Sequence, residues 1–163
     1  MHSQDLLDEE AREAKKNGGL VCWSASTAPN EFCAAMDVAM VYPKNHAAGI
    51  GAMHGAPEML AVAGAKGYSS DCYTYGRINM GFMGLLKEQT LTGVTPAALE
   101  NSPAARVPLP DFVITTNNIC NTLLKWYGNL AAELNIPCII IDTPFCHTMP
   151  VPKHAKEYLE GQF

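Results

Sequence analysis

The stretch from Phe112 to Asp142 constrains this chain most. Phe112-Val113-Ile114-Thr115-Thr116 is a short β-branched run and Cys138 to Asp142 is another, while the segment between them, about Ile119 to Leu134, repeats Leu123, Tyr127, Leu130, Ala131 and Leu134 at helical spacing. A strand, an amphipathic helix and a second strand in that order form a βαβ unit, because parallel pairing needs a crossover about a dozen residues long or more. The same order recurs earlier. Leu20 to Ser26 is strand-like, Thr27 to Met36 reads as a helix with Pro29 in its first turn, and Val38 to Tyr42 is a second strand stopped by Pro43. Two such units predict an α/β fold, a Rossmann-like or flavodoxin-like parallel sheet flanked by helices. At 163 residues, 48% apolar and 17% charged, the chain can bury one real core.

The remaining segments arrange themselves around that sheet. Residues 3 to 17 read as a polar surface helix, acids early and lysines late, closed by Gly18-Gly19. Lys44 to Gly55 reads as a small-residue loop carrying His46 and His54, in which Gly49 and Gly51 mark flexibility or close approach. Ala56 to Ala65 is helical, and Cys72 to Leu86 forms a helix with Tyr75, Ile78, Phe82 and Leu85 or Leu86 on one face. Thr90 to Pro110, rich in Pro, Ala, Thr and Ser, is an excursion between units. Lys153 to Phe163 begins an amphipathic helix with nothing to lead into, which suggests a fragment. The expected organisation is a surface helix at 1–17, an α/β domain at 18–150 and the start of a connecting helix at 151–163.

Charge and composition exclude several functions. A net charge of −5 with scattered basic residues argues against nucleic acid or an anionic membrane as partner. The N-terminus is not basic-then-apolar, and no apolar run approaches the ~20 residues a bilayer needs, so a cytoplasmic protein is expected. Six cysteines without a CxxC pair fit reduced thiols rather than a disulfide scaffold or a zinc ribbon. Gly49 to Gly55 lacks the spacing of a dinucleotide fingerprint, and no phosphate-cradling glycine loop is present.

The strand ends at 24–26, 116–120 and 142–146 converge on one edge of a parallel sheet, the edge where open α/β folds bind ligands. Cys120 stands at a helix N-terminus beyond such a strand end, and Cys72 precedes a helix that Ser69, Ser70 or Asp71 can cap. Partial positive charge from the first N–H groups of a helix favours a thiolate and suits an anionic ligand. The plainer reading of either cysteine is a small packed hydrophobe. Cys22, Cys33 and Cys138 sit inside apolar patterns and read as core, while Cys146 in a loop is ambiguous. Ser24 and Ser26 could contact a substrate or cap the next helix, Glu31 could simply answer the helix dipole, and Asn117 and Asn118 are turn residues with Asn118 a natural cap. His46 and His54 are proton-transfer candidates or merely solvated.

Four ordered blocks, Gly19 to Cys33, Tyr42 to Ala52, Asp71 to Arg77 and Asn117 to Tyr127, together resemble the 2-hydroxyacyl-CoA dehydratase family and its alpha subunits. The resemblance implies a heterodimeric, oxygen-sensitive enzyme whose subunits each carry a [4Fe-4S] cluster held by three cysteines, with one iron open. Cys72 and Cys120 fall on the first two ligand positions, and the third is expected outside this chain. The implied reaction removes water from an (R)-2-hydroxyacyl-CoA to give the 2-enoyl-CoA through a ketyl radical, using one electron from an ATP-dependent activator protein. Ser24, Ser26, Glu31 and His46 are then candidate contacts around the substrate. A benzoyl-CoA-reductase-like subunit is the runner-up, disfavoured by the Cys22 to Ser26 and Tyr42 to Ala52 blocks, and an inert α/β binding module is the rival from another class.

Overall fold

The computed structural model describes residues 3–100 and 105–163. Its centre is a four-stranded, all-parallel sheet in the order β2-β1-β3-β4, with β1 Val21–Ser24, β2 Ala39–Val41, β3 Phe112–Thr116 and β4 Cys138–Ile141. The expected α/β class and both βαβ units are therefore present. Helix α2 (Asn30–Ala35) joins β1 to β2, and α7 (Asn121–Leu134) joins β3 to β4. These connections leave β1 and β3 in opposite directions, so the crevice beyond their carboxyl ends is the topological switch point of the sheet.

A central strand covered on both faces is buried at every position, and Val21, Cys22, Trp23 and the polar Ser24 all are. Successive side chains alternate between faces. Trp23 stacks on Phe82 with ring centroids 6.4 Å apart, while its neighbour Cys22 meets Cys33 of α2. Burial pushes the Cys22 thiol far above its ordinary range, and Cys33 beside it adds to the effect. Both behave as packed thiols, as expected. Tyr127 of α7 is fully buried and donates its hydroxyl to the Ser24 carbonyl at 2.9 Å. Tyr127→Phe should cost about 1 kcal/mol in a urea unfolding experiment, the worth of one buried hydrogen bond. At the amino edge, Asp111 accepts from the Val21 amide at 2.8 Å and from Lys15 at 2.5 Å, pinning β1 to β3 and to helix α1 (Ser3–Lys16).

Several segments differ from expectation. Lys44 to Gly55 is mostly helix α3, Pro43–Ala52. Pro43 does stop β2, but it also occupies the first turn of a helix, where its fixed φ is favourable and its missing N–H costs nothing. Gly49 and Gly51 would meet nothing with an added Cβ, so neither marks a close approach. His46 is consequently a buried helical residue, and only His54, at φ 62°, lies in the turn beyond. Helix α1 is not purely a surface element. It buries Ala11 and brings Asp8 to 2.9 Å from His46 Nε2, so the pair ties α1 to α3.

Helix α4 (Ala56–Ala65) packs on α5, which spans Thr74–Thr92 rather than Cys72 to Leu86. Gly93, at φ 72°, closes α5 in the left-handed conformation, and Lys87 anchors the extra length by donating to the Glu133 carbonyl at 2.7 Å. The excursion from Thr90 to Pro110 thus begins inside α5 and holds the short α6, Ala97–Glu100; its residues 101–104 lie outside the described residues. Helix α8 (Lys153–Glu160) does not project freely. Asp142, just past β4, accepts from Tyr158 and Asn117, Gln162 bonds both backbone groups of Asp142, and Phe163 packs on Phe32 with centroids 4.3 Å apart.

Candidate functional site

All four strands run in the same direction, so residues 25–29, 117–120 and 142–146 share the carboxyl edge of the sheet. Cys120 is the N-cap residue of α7, in extended backbone at φ −151°, ψ 149°, and its side chain is exposed. Asn118 does not cap α7. Its side-chain oxygen accepts from the Thr116 hydroxyl instead, which closes the turn leaving β3, and Asn117 reaches across to Asp142 and the Thr143 amide. Cys120 therefore stands at a helix N-terminus beyond a strand end, as expected, with α7 beginning at Asn121 rather than near Ile119.

Cys72 is also exposed and stands two residues before α5. Ser69, Ser70 and Asp71 do not cap that helix, whose N-cap residue is Tyr73 and has no side-chain cap; Ser69 bonds the Asp71 amide in a local turn. The two thiols belong to adjoining pockets. One, of about 290 Å³, lies between α5 and α7 and is lined by Cys72, Tyr73, Arg77, Thr122, Lys125 and Trp126 among others. The other, of about 210 Å³, is lined by Lys44, Tyr73, Ile119, Cys120, Thr122 and Leu123. Tyr73 and Thr122 are the wall common to both. Two cysteines 48 positions apart thus line neighbouring pockets that share one tyrosine, near the N-termini of two helices.

An iron-sulfur cluster needs accessible thiolates from separate elements, and Cys72, just ahead of α5, and Cys120, at the N-cap of α7, are both exposed. They fit as two ligands of a larger set. Among the described residues no three His, Cys, Asp or Glu side chains are grouped to hold a metal by themselves. Cys22 in β1 and Cys33 in α2 are buried, Cys138 is half-buried with its thiol pushed up by burial, and Cys146 is exposed in the loop after β4, where its thiol faces the Pro144 carbonyl at 3.8 Å.

The other candidates separate by burial. Ser24 is fully buried, with its hydroxyl donating to the Ala25 carbonyl at 3.0 Å and engaging Asn30. It organises the β1–α2 turn without capping α2, which has no side-chain cap. Ser26 is exposed on that turn and Glu31 is exposed in the first turn of α2. His46 is 4% exposed and held by Asp8, away from solvent. Sequence reasoning passed over Tyr73, Arg77, Lys125 and Trp126. Trp126 donates its indole N–H to the fully buried Asn79 at 2.9 Å and lies edge-on to Tyr73 at 6.1 Å, so it positions the shared wall. Its burial shows that the buried face of α7 is wider than the single stripe of Leu123, Tyr127 and Leu130, because α5 covers its flank.

A doubly wound parallel α/β domain with two accessible thiols at its ligand-binding edge is the class that fold and site define. The chain belongs to the 2-hydroxyglutaryl-CoA dehydratase, D-component family, whose sequence profile matches residues 25–163. It is 66% identical over 160 residues to the lactoyl-CoA dehydratase subunit alpha of Anaerotignum propionicum, covering 98% of this chain and 38% of that protein. It is 39% identical over 164 residues to the (R)-2-hydroxyisocaproyl-CoA dehydratase alpha subunit of Clostridioides difficile, covering 98% and 36%. Identity to a benzoyl-CoA reductase subunit of Thauera aromatica falls to 23% over 133 residues, covering 82% and 28%. The chain therefore spans well under half the length of these relatives, and they favour the dehydratase over the reductase branch.

Proposed function

We propose that this chain forms part of the alpha subunit of an (R)-2-hydroxyacyl-CoA dehydratase, in which Cys72 and Cys120 supply two of the three cysteine ligands of a [4Fe-4S] cluster. The observation that carries this reading is that the two exposed thiols line neighbouring pockets sharing Tyr73 and Thr122. When bound, such a cluster supplies a one-electron store and an open, Lewis-acidic iron, the chemistry that removal of an unactivated β-proton requires. The third thiolate comes from sequence outside these 163 residues. The partners are a second dehydratase subunit, the acyl-CoA substrate and an ATP-dependent activator that delivers the electron, in the anaerobic cytoplasm. No helix among the described residues is long and apolar enough to cross a membrane.

The roles of the chain's own groups follow from their placement. Cys72 and Cys120 hold the cluster by their thiolates, and the N-termini of α5 and α7 favour the negative charge gathered there. Ser26 on the turn after β1 and Glu31 in the first turn of α2 face solvent and are the groups placed to meet the substrate or the departing hydroxyl. Ser24 and His46 act behind them. The Ser24 hydroxyl fixes the β1–α2 turn through Asn30, and His46 holds α3, which carries Lys44, against α1 through Asp8.

Anaerobic reconstitution of the complete subunit with iron and sulfide tests the reading. Visible sulfur-to-iron absorption is expected, and a colourless product would favour an inert binding module. Cys138→Ser in the same preparation should leave iron content and dehydration near the parent's, because Cys138 lies in β4 and lines neither thiol pocket. Loss of iron in that variant would move the site away from the α5–α7 crevice.

A further inference from the structure

We infer that Lys44, Arg77 and Lys125 form a cationic collar around Cys72 and Cys120 that sets the reduction potential of the iron-sulfur centre, an inference that rests on the function proposed above. The two pockets that hold the thiols carry these three cations against a single carboxylate, Asp71. That local excess of positive charge stands out in a chain whose net charge is −5. Among the described residues none of the three is in an ion pair, whereas Arg12, Lys15, Lys16, Lys66 and Lys153 each lie within reach of a carboxylate. Arg77 donates from Nη2 to the Leu60 carbonyl at 3.5 Å, which orients the guanidinium on the pocket wall. With only Asp71 beside them, the three side chains leave the crevice with a net positive charge that suits an anionic occupant.

A cluster bound by thiolates is such an occupant, and it gains one negative charge when it takes an electron from a low-potential one-electron donor. Fixed cations beside it stabilise the reduced form more than the oxidised form and raise the potential, which for these centres follows net charge, hydrogen bonding and solvent exposure. Lys44 and Lys125 are exposed, so their contribution is also screened by salt. These are positioning and tuning residues, separated from the reacting atoms by the ligands themselves.

The test is a mediator-controlled anaerobic titration, read by electron paramagnetic resonance, on the complete subunit carrying Lys44→Gln and Lys125→Gln. Arg77 is kept because it also packs. Expected is a midpoint displaced to more negative potential, with the reduced-to-oxidised ratio at the parent's midpoint lowered about tenfold, ~59 mV for a one-electron couple. The displacement should shrink at about 1 M salt, where the screening length is roughly 3 Å. The Lys44→Arg, Lys125→Arg subunit should keep the parent's midpoint, as should Lys16→Gln at the amino edge of the sheet. An unchanged midpoint in the glutamine variant, with iron content equal to the parent's, overturns the inference. Iron lost from the glutamine variant but kept by the arginine variant supports it, since charge is then what the centre needs; iron lost from both assigns the lysines to packing and overturns it. A parent subunit that binds no iron instead contradicts the proposed function, so the two failures are told apart.

Discussion

Cys120→Ser in the complete, anaerobically purified subunit should lose most of its bound iron and all measurable dehydration of the acyl-CoA, while the protein stays folded. The side chain is exposed at the N-cap of α7 and no part of the core rests on it. Replacement of a surface thiol by a hydroxyl of similar size is worth within about 0.5 kcal/mol in stability. The chemical change is far larger. A thiol gives up its proton readily on binding iron and supplies a soft, polarisable sulfur, whereas the serine hydroxyl is a hard donor and a poor ligand for iron in a sulfide cluster. Cys72→Ser should behave alike, because its thiol is exposed on the other side of the same Tyr73 wall. Iron analysis and unfolding of the two variants beside the parent separate loss of a ligand from loss of the fold. Parental iron content in either variant would remove that cysteine from the site.

Gly81→Ala should cost about 3 kcal/mol or more in stability, at the upper end of what overpacking exacts. A Cβ at Gly81 would lie 2.0 Å from the Met59 carbonyl oxygen and 2.7 Å from its carbonyl carbon. Those atoms are the backbone of α4, so α4 and α5 would have to separate along their contact. Met59, Ile78 and Phe82 are fully or almost fully buried there, and the separation would expose them. Gly84→Ala is the natural control. It meets the flexible end of Lys66 at 2.9 Å, which swings aside, and alanine favours the helix by up to about 1 kcal/mol. Urea unfolding should therefore show a large loss for Gly81→Ala and little change or a gain for Gly84→Ala. Equal midpoints would mean that the helices do not pack this closely. Because the chain enters α5 directly after Cys72, the first variant should also hold less iron.

What the sequence made legible was local and periodic. β-branched runs spaced around an amphipathic helix were enough for both βαβ units, and the strand ends then fixed which edge carries Ser26 and Cys120. The segment Lys44 to Gly55 was misread because Ala, Gly and His make no apolar stripe; α3 is held by Pro43 at its start and by Ala47 and Ile50 buried towards its neighbours. The inward turn of Asp8 was equally hidden, since its partner His46 is 38 positions away and an acid on a polar helix gives no sign of which way it faces. The docking of α8 on Asp142 and the collar of Lys44, Arg77 and Lys125 share that character, because each depends on contacts between elements distant in sequence. Cys72 and Cys120 were picked out by position at helix starts, yet only the packing of α5 beside α7 brings them to one wall.

Anomalous diffraction at the iron edge, from anaerobically grown crystals of the complete subunit, examines that meeting point most directly. One compact set of iron peaks is expected, bonded to the sulfurs of both Cys72 and Cys120, beside Tyr73 and Thr122. Iron bound to only one of these sulfurs, or located elsewhere with both thiols free, would contradict the shared site.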